Sequence, residues 1–301
     1  MKLQESLFVP INSIDGMSHQ IHLKHLWQKD NGPVVVMFHG VIENGRIFYK
    51  GIDKGLANFL VDHGFNVYVV DFRGKGQSEP KLDANSRFGQ HEIITEDIPT
   101  VINYLLEKHQ SPMHVICHSY GGVLFSSALV RHNGFDNQIK SVVCFGTKRQ
   151  VRAPTFDRVL RVSLVWNQLV PLVARLQGFL DAKKFGIGDD SETRQFIKDS
   201  IQWIRDKSWR DTRDNFDYYQ AASTTNWPST WHFSAKNDHS LGHTEDVQRF
   251  INECQLSDYQ HTLLSRENGN LHDYDHINML THPLTVKDHF PRLASWLHSL
   301  N

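Results

Sequence analysis

The chain has 301 residues, a formal net charge of −1, and 40% hydrophobic and 22% charged residues. That balance supports a substantial core and gives no electrostatic basis for binding nucleic acid or an anionic membrane, and no run reaches the roughly 18 apolar residues of a membrane-spanning helix. Residues 1–5 lack the apolar stretch of a signal peptide, and Cys117, Cys144 and Cys254 lack disulfide or metal spacing, so a reducing, cytoplasmic setting is expected.

Residues 6–27 alternate in polarity and read as two antiparallel strands turning around Asp15-Gly16. Residues 33–38 form a continuous apolar run, the pattern of a strand buried on both faces. A helix is predicted over 48–63, a buried strand over 65–70, and a loop over 71–78. A helical stretch at 99–108 leads to a strand at 113–116, and 139–145 is a further apolar strand. Strands alternating with helices imply a parallel sheet covered on both sides. From 147 to 227 the periodicity is helical, with no strand predicted. The alternation resumes with a strand at 230–234, a helix at 244–254, a strand at 260–265 and a final helix at 284–300. The expected architecture is therefore a mostly parallel eight-stranded sheet with helices on both faces. Its core domain would be 1–146 and 228–301, and 147–227 would be a helical cap inserted after the sixth strand.

Cys117-His118-Ser119-Tyr120-Gly121-Gly122 stands between the strand at 113–116 and a helical pattern at 123–131. A serine between small residues at a strand-to-helix corner is the nucleophile-elbow pattern, although Cys117 stands where glycine is usual. The same spacing also suits a strand end whose serine caps a helix. Upstream lie Phe38-His39-Gly40 and Asp71-Phe72-Arg73-Gly74-Lys75-Gly76-Gln77-Ser78. The glycine-rich second stretch lacks the spacing of a nucleotide-phosphate loop and reads as a structural turn.

In this order the three motifs resemble the α/β-hydrolase superfamily, and most of all its lid-bearing esterase, lipase and serine-aminopeptidase branches. Lys75 stands where those families often carry histidine. The resemblance implies a serine nucleophile, Ser119, followed in the chain by an acid and then a histidine. The acid is assigned to Asp238, at the end of Trp231-His232-Phe233-Ser234-Ala235-Lys236-Asn237-Asp238; a turn or helix-capping aspartate fits the same place. The base is assigned to His276, with His272 as its rival in the same loop. The oxyanion hole is assigned to the backbone N–H groups of Val41 and Tyr120. Two histidines and two aspartates between 272 and 276 invite a metal reading, but lack a familiar ligand spacing. No cofactor and no metal are expected.

The insertion carries an apolar series at 160, 164, 165, 169, 173, 176 and 180, with Pro171 expected to kink it. One face would roof the serine and line an acyl pocket, or only pack the cap on the core. Trp203, Trp209, Phe216, Tyr218 and Tyr219 are core or substrate contacts. The expected activity is hydrolysis of carboxylic esters with a hydrophobic acyl or alcohol part, a small-molecule substrate. Acyl transfer, thioester hydrolysis and aminopeptidase action use the same triad, and a non-catalytic binding protein is the alternative of another class.

Overall fold

A computed structural model describes the chain apart from residues 14, 15, 17, 52 and 133 and the side chains of 12, 159 and 161. The chain opens with two ten-residue strands, β1 (Leu3–Asn12) and β2 (Ser18–Trp27), paired antiparallel from Leu3↔Trp27 to Asn12↔Ser18. Asp15, expected in their turn, lies outside the described residues. Next come β3 (Val34–Phe38), helix α1 (Leu56–Asp62) and β4 (Asn66–Asp71). The helix expected from residue 48 starts later, because the chain first makes a 3-10 turn at Gly45–Ile47 and then folds back between Lys50 and Lys54, which bridge. A short α2 (Gln90–Glu92) runs through a π turn (Ile93–Asp97) into α3 (Ile98–His109). Then follow β5 (Met113–His118), α4 (Tyr120–Arg131) and β6 (Ile139–Phe145).

After β6 come a π-helical stretch (Arg158–Leu169), α5 (Val170–Gln177), β7 (Phe179–Leu180), β8 (Glu192–Thr193), α6 (Arg194–Arg205) and α7 (Tyr218–Ala222). The antiparallel β7–β8 ribbon corrects the expectation that this segment holds no strand. Two-residue strands are too short to leave an alternating pattern in the sequence. The change from π to α pitch falls beside Pro171, the second residue of α5, where the ring removes an N–H from a helix that runs on from the π stretch. The sheet resumes with β9 (Ser229–Ala235), α8 (Thr244–Glu253) and β10 (Tyr259–Leu264). The end is α9 (Asn278–Thr281), a 3-10 turn (Pro283–Lys287) and α10 (His289–Ser299), where a single helix from 284 was expected. Asp288, at φ −116° and ψ −101°, leaves helical geometry and divides the two.

The eight-stranded sheet has the order β1-β2-β4-β3-β5-β6-β9-β10. β2 is antiparallel to both neighbours, and every pair from β4 to β10 is parallel. Alternation within the apolar runs builds two cores. Val34, Val36 and Phe38, with Val115 and Cys117, face α3, α4 and α8. Val35 and Met37, with Ile116, Val143 and Phe145, face α1, α9 and α10. This double burial is why the central strands are apolar throughout. Trp203, Trp209 and Tyr218 of the inserted segment join the first core, whereas Tyr219 is exposed. A third, small cluster of Val170, Ala174, Leu180, Ala182 and Ile197 belongs to the segment itself. No helix among the described residues is long and apolar enough to cross a membrane.

Candidate active site

β5 stops at His118 and α4 starts at Tyr120, so Ser119 alone makes the corner, with φ +52° and ψ −126°. A serine held at positive φ is strained, and such strain persists only where its surroundings over-determine it. Here the Ser119 N–H donates to the Phe145 carbonyl of β6 (2.7 Å). A Cβ at position 121 would lie 2.7 Å from the Phe38 carbonyl oxygen, so α4 approaches β3 this closely only with glycine there. On the other side Cys117 is buried opposite Cys144 of β6. Burial pushes its thiol pKa well up, and the corner accepts a small apolar residue where glycine is usual.

The Ser119 hydroxyl meets His276 Nε2 at 2.9 Å, and His276 Nδ1 meets Asp238 Oδ2 at 2.5 Å. The three come from different strand ends: Ser119 after β5, Asp238 after β9 and His276 after β10, at the carboxyl edge of the parallel sheet. All three are buried. Asp238 Oδ1 also accepts from the Leu241 N–H (2.8 Å). Burial pushes the Asp238 carboxyl up, but His276, Lys148 and the Leu241 N–H outweigh it and hold the pKa at about 2. Burial lowers the pKa of His276, as do the charges of His118 and Lys148, and Asp238 offsets this only in part. The imidazole is thus neutral at neutral pH, with its Nδ1–H held by a carboxylate and its Nε2 lone pair turned to the serine. That is the state of a general base.

Gly146, just past β6, takes φ +61°, and a Cβ there would lie 2.9 Å from the His276 ring. The ring needs glycine at this place both for space and for the backbone conformation. Val41 lies in the loop after β3, and Tyr120 opens α4. A Cβ on Gly40 would fall 2.8 Å from Ser119 Cβ, so the Val41 loop packs directly on the serine.

Three residues at the site were not singled out from the sequence. Glu43 Oε2 accepts from the Gly40 N–H (2.9 Å) and from His118 Nδ1 (2.8 Å), and His118 Nε2 faces the His276 carbonyl oxygen at 2.9 Å. Both ring nitrogens of His118 meet acceptors, so both carry protons and the ring is cationic. Burial opposes that charge, but Glu43 and the His276 carbonyl outweigh it and raise the pKa. Burial likewise raises the Glu43 carboxyl, and His118, His276 and the Gly40 N–H bring it down to about 2. The third is Lys148, whose Nζ lies 3.4 Å from Ser119 Oγ. Glu43 lies three residues past Gly40, and Lys148 three past the end of β6; those offsets were the available signals.

Other sequence candidates have different partners. The His272 ring stacks on His282 at 4.4 Å, while His276 holds the serine. Asp273 accepts from the Arg266 N–H, and Asp275 caps the turn by accepting from the Ile277 and Asn278 N–H groups. His39 donates to the Gly40 carbonyl and accepts from the Phe72 N–H, a structural role. In the loop after β4, the Asp71 carboxylate accepts from the Gly45 and Gln77 N–H groups, and Arg73 is buried against Asp97 and Glu96. The apolar series of the insertion divides: Leu180 is buried, and Val165 and Val173 pack beside it, but Leu160, Leu164, Leu169 and Leu176 face solvent.

The chain matches the model of the family described as serine aminopeptidase, S33, over residues 29–264. It is 30% identical over 120 residues to a tear acid lipase-like protein of Mesocricetus auratus, covering 37% of this chain and 30% of that one. It is 28% identical over 143 residues to triacylglycerol lipase 1 of Arabidopsis thaliana, covering 44% and 36%. The chain thus spans about a third of the length of these curated relatives. Its fold superposes on a soluble variant of monoglyceride lipase from Saccharomyces cerevisiae with a TM-score of 0.67 at 17% identity, over 99% of this chain and 95% of that one. With the elbow after β5 and this strand order, the chain belongs to the serine aminopeptidase S33 family of α/β-hydrolases.

Proposed function

We propose that the protein is a serine hydrolase that cleaves carboxylic esters with a hydrophobic acyl or alcohol part. Ser119 is the nucleophile, His276 the general base and Asp238 the residue that orients the imidazole. The observation that carries this is the unbroken series Asp238–His276–Ser119, at 2.5 and 2.9 Å, on a strained elbow. The lipase names of the sequence relatives support an ester as the substrate class.

A serine hydroxyl is a weak nucleophile until a base takes its proton. His276 Nε2 takes the proton as Oγ attacks the ester carbonyl. The N–H groups of Val41 and Tyr120 receive the developing oxyanion, each contributing about 3 kcal/mol in the transition state. Collapse releases the alcohol, which takes the proton from His276 and leaves the acyl group on Ser119. Water then repeats the sequence and frees the acid. Residues 1–146 and 228–301 form the hydrolase core, and 147–227 act as a cap over the site. Glu192 of β8 supports that cap role, because its carboxylate accepts from the Ile42 N–H (2.8 Å) beside the oxyanion loop.

A fluorophosphonate probe tests the reading. The expected result is labelling of the wild-type protein, none of Ser119→Ala, and turnover of an ester panel that favours longer acyl chains. Labelling that survives in Ser119→Ala would place the nucleophile elsewhere.

A further inference from the structure

Four lysine and arginine side chains are buried among the described residues: Arg73, Lys75, Lys148 and Arg149. Three of them have carboxylate partners. Arg73 lies against Asp97 and Glu96, Lys75 is 2.5 Å from Glu192, and Arg149 pairs with Glu253. Lys148 is the exception. It is 7% exposed, and the only hydrogen bond of its Nζ among the described residues is to Ser119 Oγ, at 3.4 Å. No carboxylate among the described residues lies within ion-pair distance of it, and Asp238, Asp246 and Glu43 act on it only from further off, so burying this charge is costly. A lysine placed there for packing alone would be better replaced by methionine. Its position makes sense if negative charge develops beside it.

We propose that Lys148 is a fourth member of the reacting group, its ammonium donating to Ser119 Oγ and stabilising negative charge on that oxygen as the bond to the acyl carbon forms and breaks. This rests on the Ser119 reading above and adds to it. The hydroxyl proton points at His276 Nε2, so the oxygen lone pairs are free to accept from Lys148. During attack the Oγ–H proton passes to His276, Oγ bonds the carbonyl carbon, and the carbonyl π pair moves onto its oxygen. Lys148 keeps its protons throughout. In deacylation, water loses a proton to His276 as its oxygen bonds the acyl carbon and the carbonyl π pair moves onto the carbonyl oxygen; that pair then re-forms the carbonyl and the C–Oγ bond breaks. Oγ departs with the electron pair beside the ammonium and recovers a proton from His276. The donor therefore assists the leaving oxygen as well as the attacking one.

The groups facing Lys148 are Asp238, Asp246, Glu43, His118, His276 and Ser119. Burial lowers its pKa from the ordinary lysine value, against the pull of Asp238, Asp246 and Glu43. Wild-type reactivity should therefore fall on the alkaline side at a pH below that value, as the ammonium loses its charge.

The experiment is the pH dependence of fluorophosphonate inactivation, which isolates attack by Ser119 from deacylation. In Lys148→Met the second-order inactivation rate should drop by about 10-fold or more, as for loss of a charged donor. Final labelling should still reach one probe per chain. The alkaline limb should disappear, and the acid limb should move to higher pH, because Lys148 depresses the pKa of His276. Lys148→Cys, aminoethylated to a thioether amine of similar length, should regain the rate and the alkaline limb, with peptide mass showing one aminoethyl group, at position 148, and none on Cys117, Cys144 or Cys254. This arm carries the test if Lys148→Met does not fold. Inactivation of Lys148→Met at the wild-type rate with the wild-type pH profile would overturn the proposal, as would an aminoethylated Lys148→Cys that folds but stays slow. Labelling of Ser119→Ala would instead sink the Ser119 reading itself, which keeps the two failures apart.

Discussion

The parallel sheet and the segment inserted between β6 and β9 are held by different forces. In β3, β5 and β6 neighbouring residues alternate between two large apolar cores, so each strand end is fixed from both sides. The insertion between 156 and 187 keeps only a small cluster of its own and leaves Phe156 82% and Leu176 78% exposed. Later in the same segment Phe196, Trp203, Trp209 and Tyr218 pack into the first core, but much of what ties the part before them to the sheet is polar. Lys75 pairs with Glu192, Glu192 accepts from the Ile42 N–H, and Asp190 accepts from the Asn44 side chain and the Gly76 N–H. Arg149 reaches the carbonyls of Trp203, Asp206 and Lys207 at the end of α6. Apolar burial on two faces fixes atoms to the tolerance that chemistry needs. Polar ties on one face hold a segment in place but permit it to vary.

The contrast is sharpest at the reacting groups. His276→Ala should lower ester turnover by about 10³-fold or more while the melting temperature stays near wild type, because the cores do not depend on that ring. An unfolded variant would mean that the site also supports the sheet. Turnover at the wild-type rate would remove His276 from the chemistry.

Next in size is the tie at Glu192. Glu192→Gln retains a hydrogen-bond acceptor for the Ile42 N–H but leaves the buried Lys75 without its counter-charge, a loss of about 3 kcal/mol. If the polar ties are what hold the insertion, the loss should appear locally, as faster proteolysis between residues 178 and 193 with little change in global unfolding. A cooperative drop in the global midpoint would show that insertion and sheet unfold as one body.

The Glu43–His118 pair under the site gives a pH signature. The Glu43 carboxyl titrates at about 2 in the fold against 4.5 ordinarily, so its contribution is complete above pH 4.5 and lost as the pH falls toward 2. His118 is raised above its ordinary 6.5, so its contribution is complete below pH 6.5 and lost as the pH rises through the folded value. The stability difference between wild type and Glu43→Gln, read as a denaturant midpoint, should therefore peak between pH 4.5 and 6.5. A difference that is flat with pH would mean that the pair is not ionic. Because burial lowers the pKa of His276, the acid limb of kcat/KM should fall below pH 6.5, activity being present above that limb and lost beneath it.

Legibility followed the same division. The runs 33–38, 65–70 and 139–145 announced buried strands because two-sided burial permits only apolar residues there. Ser119, Asp238 and His276, which the structure brings within hydrogen-bond distance, were pointed to by the order of motifs in the resembled family and not by burial, since β10 before His276 is mostly exposed or half-buried. Lys148, Glu43 and His118 were not legible, since their meaning lies in contacts between loops from three strands, which a linear pattern does not encode. The β7–β8 ribbon was too short for a periodicity. The series at 160, 164, 169 and 176 misled for another reason. Helical spacing says that these residues share a face, but not whether anything covers it, and here they face solvent.

The smallest expected effect concerns that uncovered face. Leu176→Ser removes an apolar side chain that is already in water, so stability should change by no more than about 0.5 kcal/mol. A side chain packed in the core would cost about 2–5 kcal/mol on truncation, and a shift of that size would mean that the insertion buries this residue after all. With stability unchanged, an ester panel separates the two roles left for the face. If it meets the apolar part of the substrate, KM should rise for long-chain esters while short-chain esters and kcat stay as in wild type. If KM is unaltered at every chain length, Leu176 takes no part in binding, and any hydrophobic preference would arise from residues closer to Ser119.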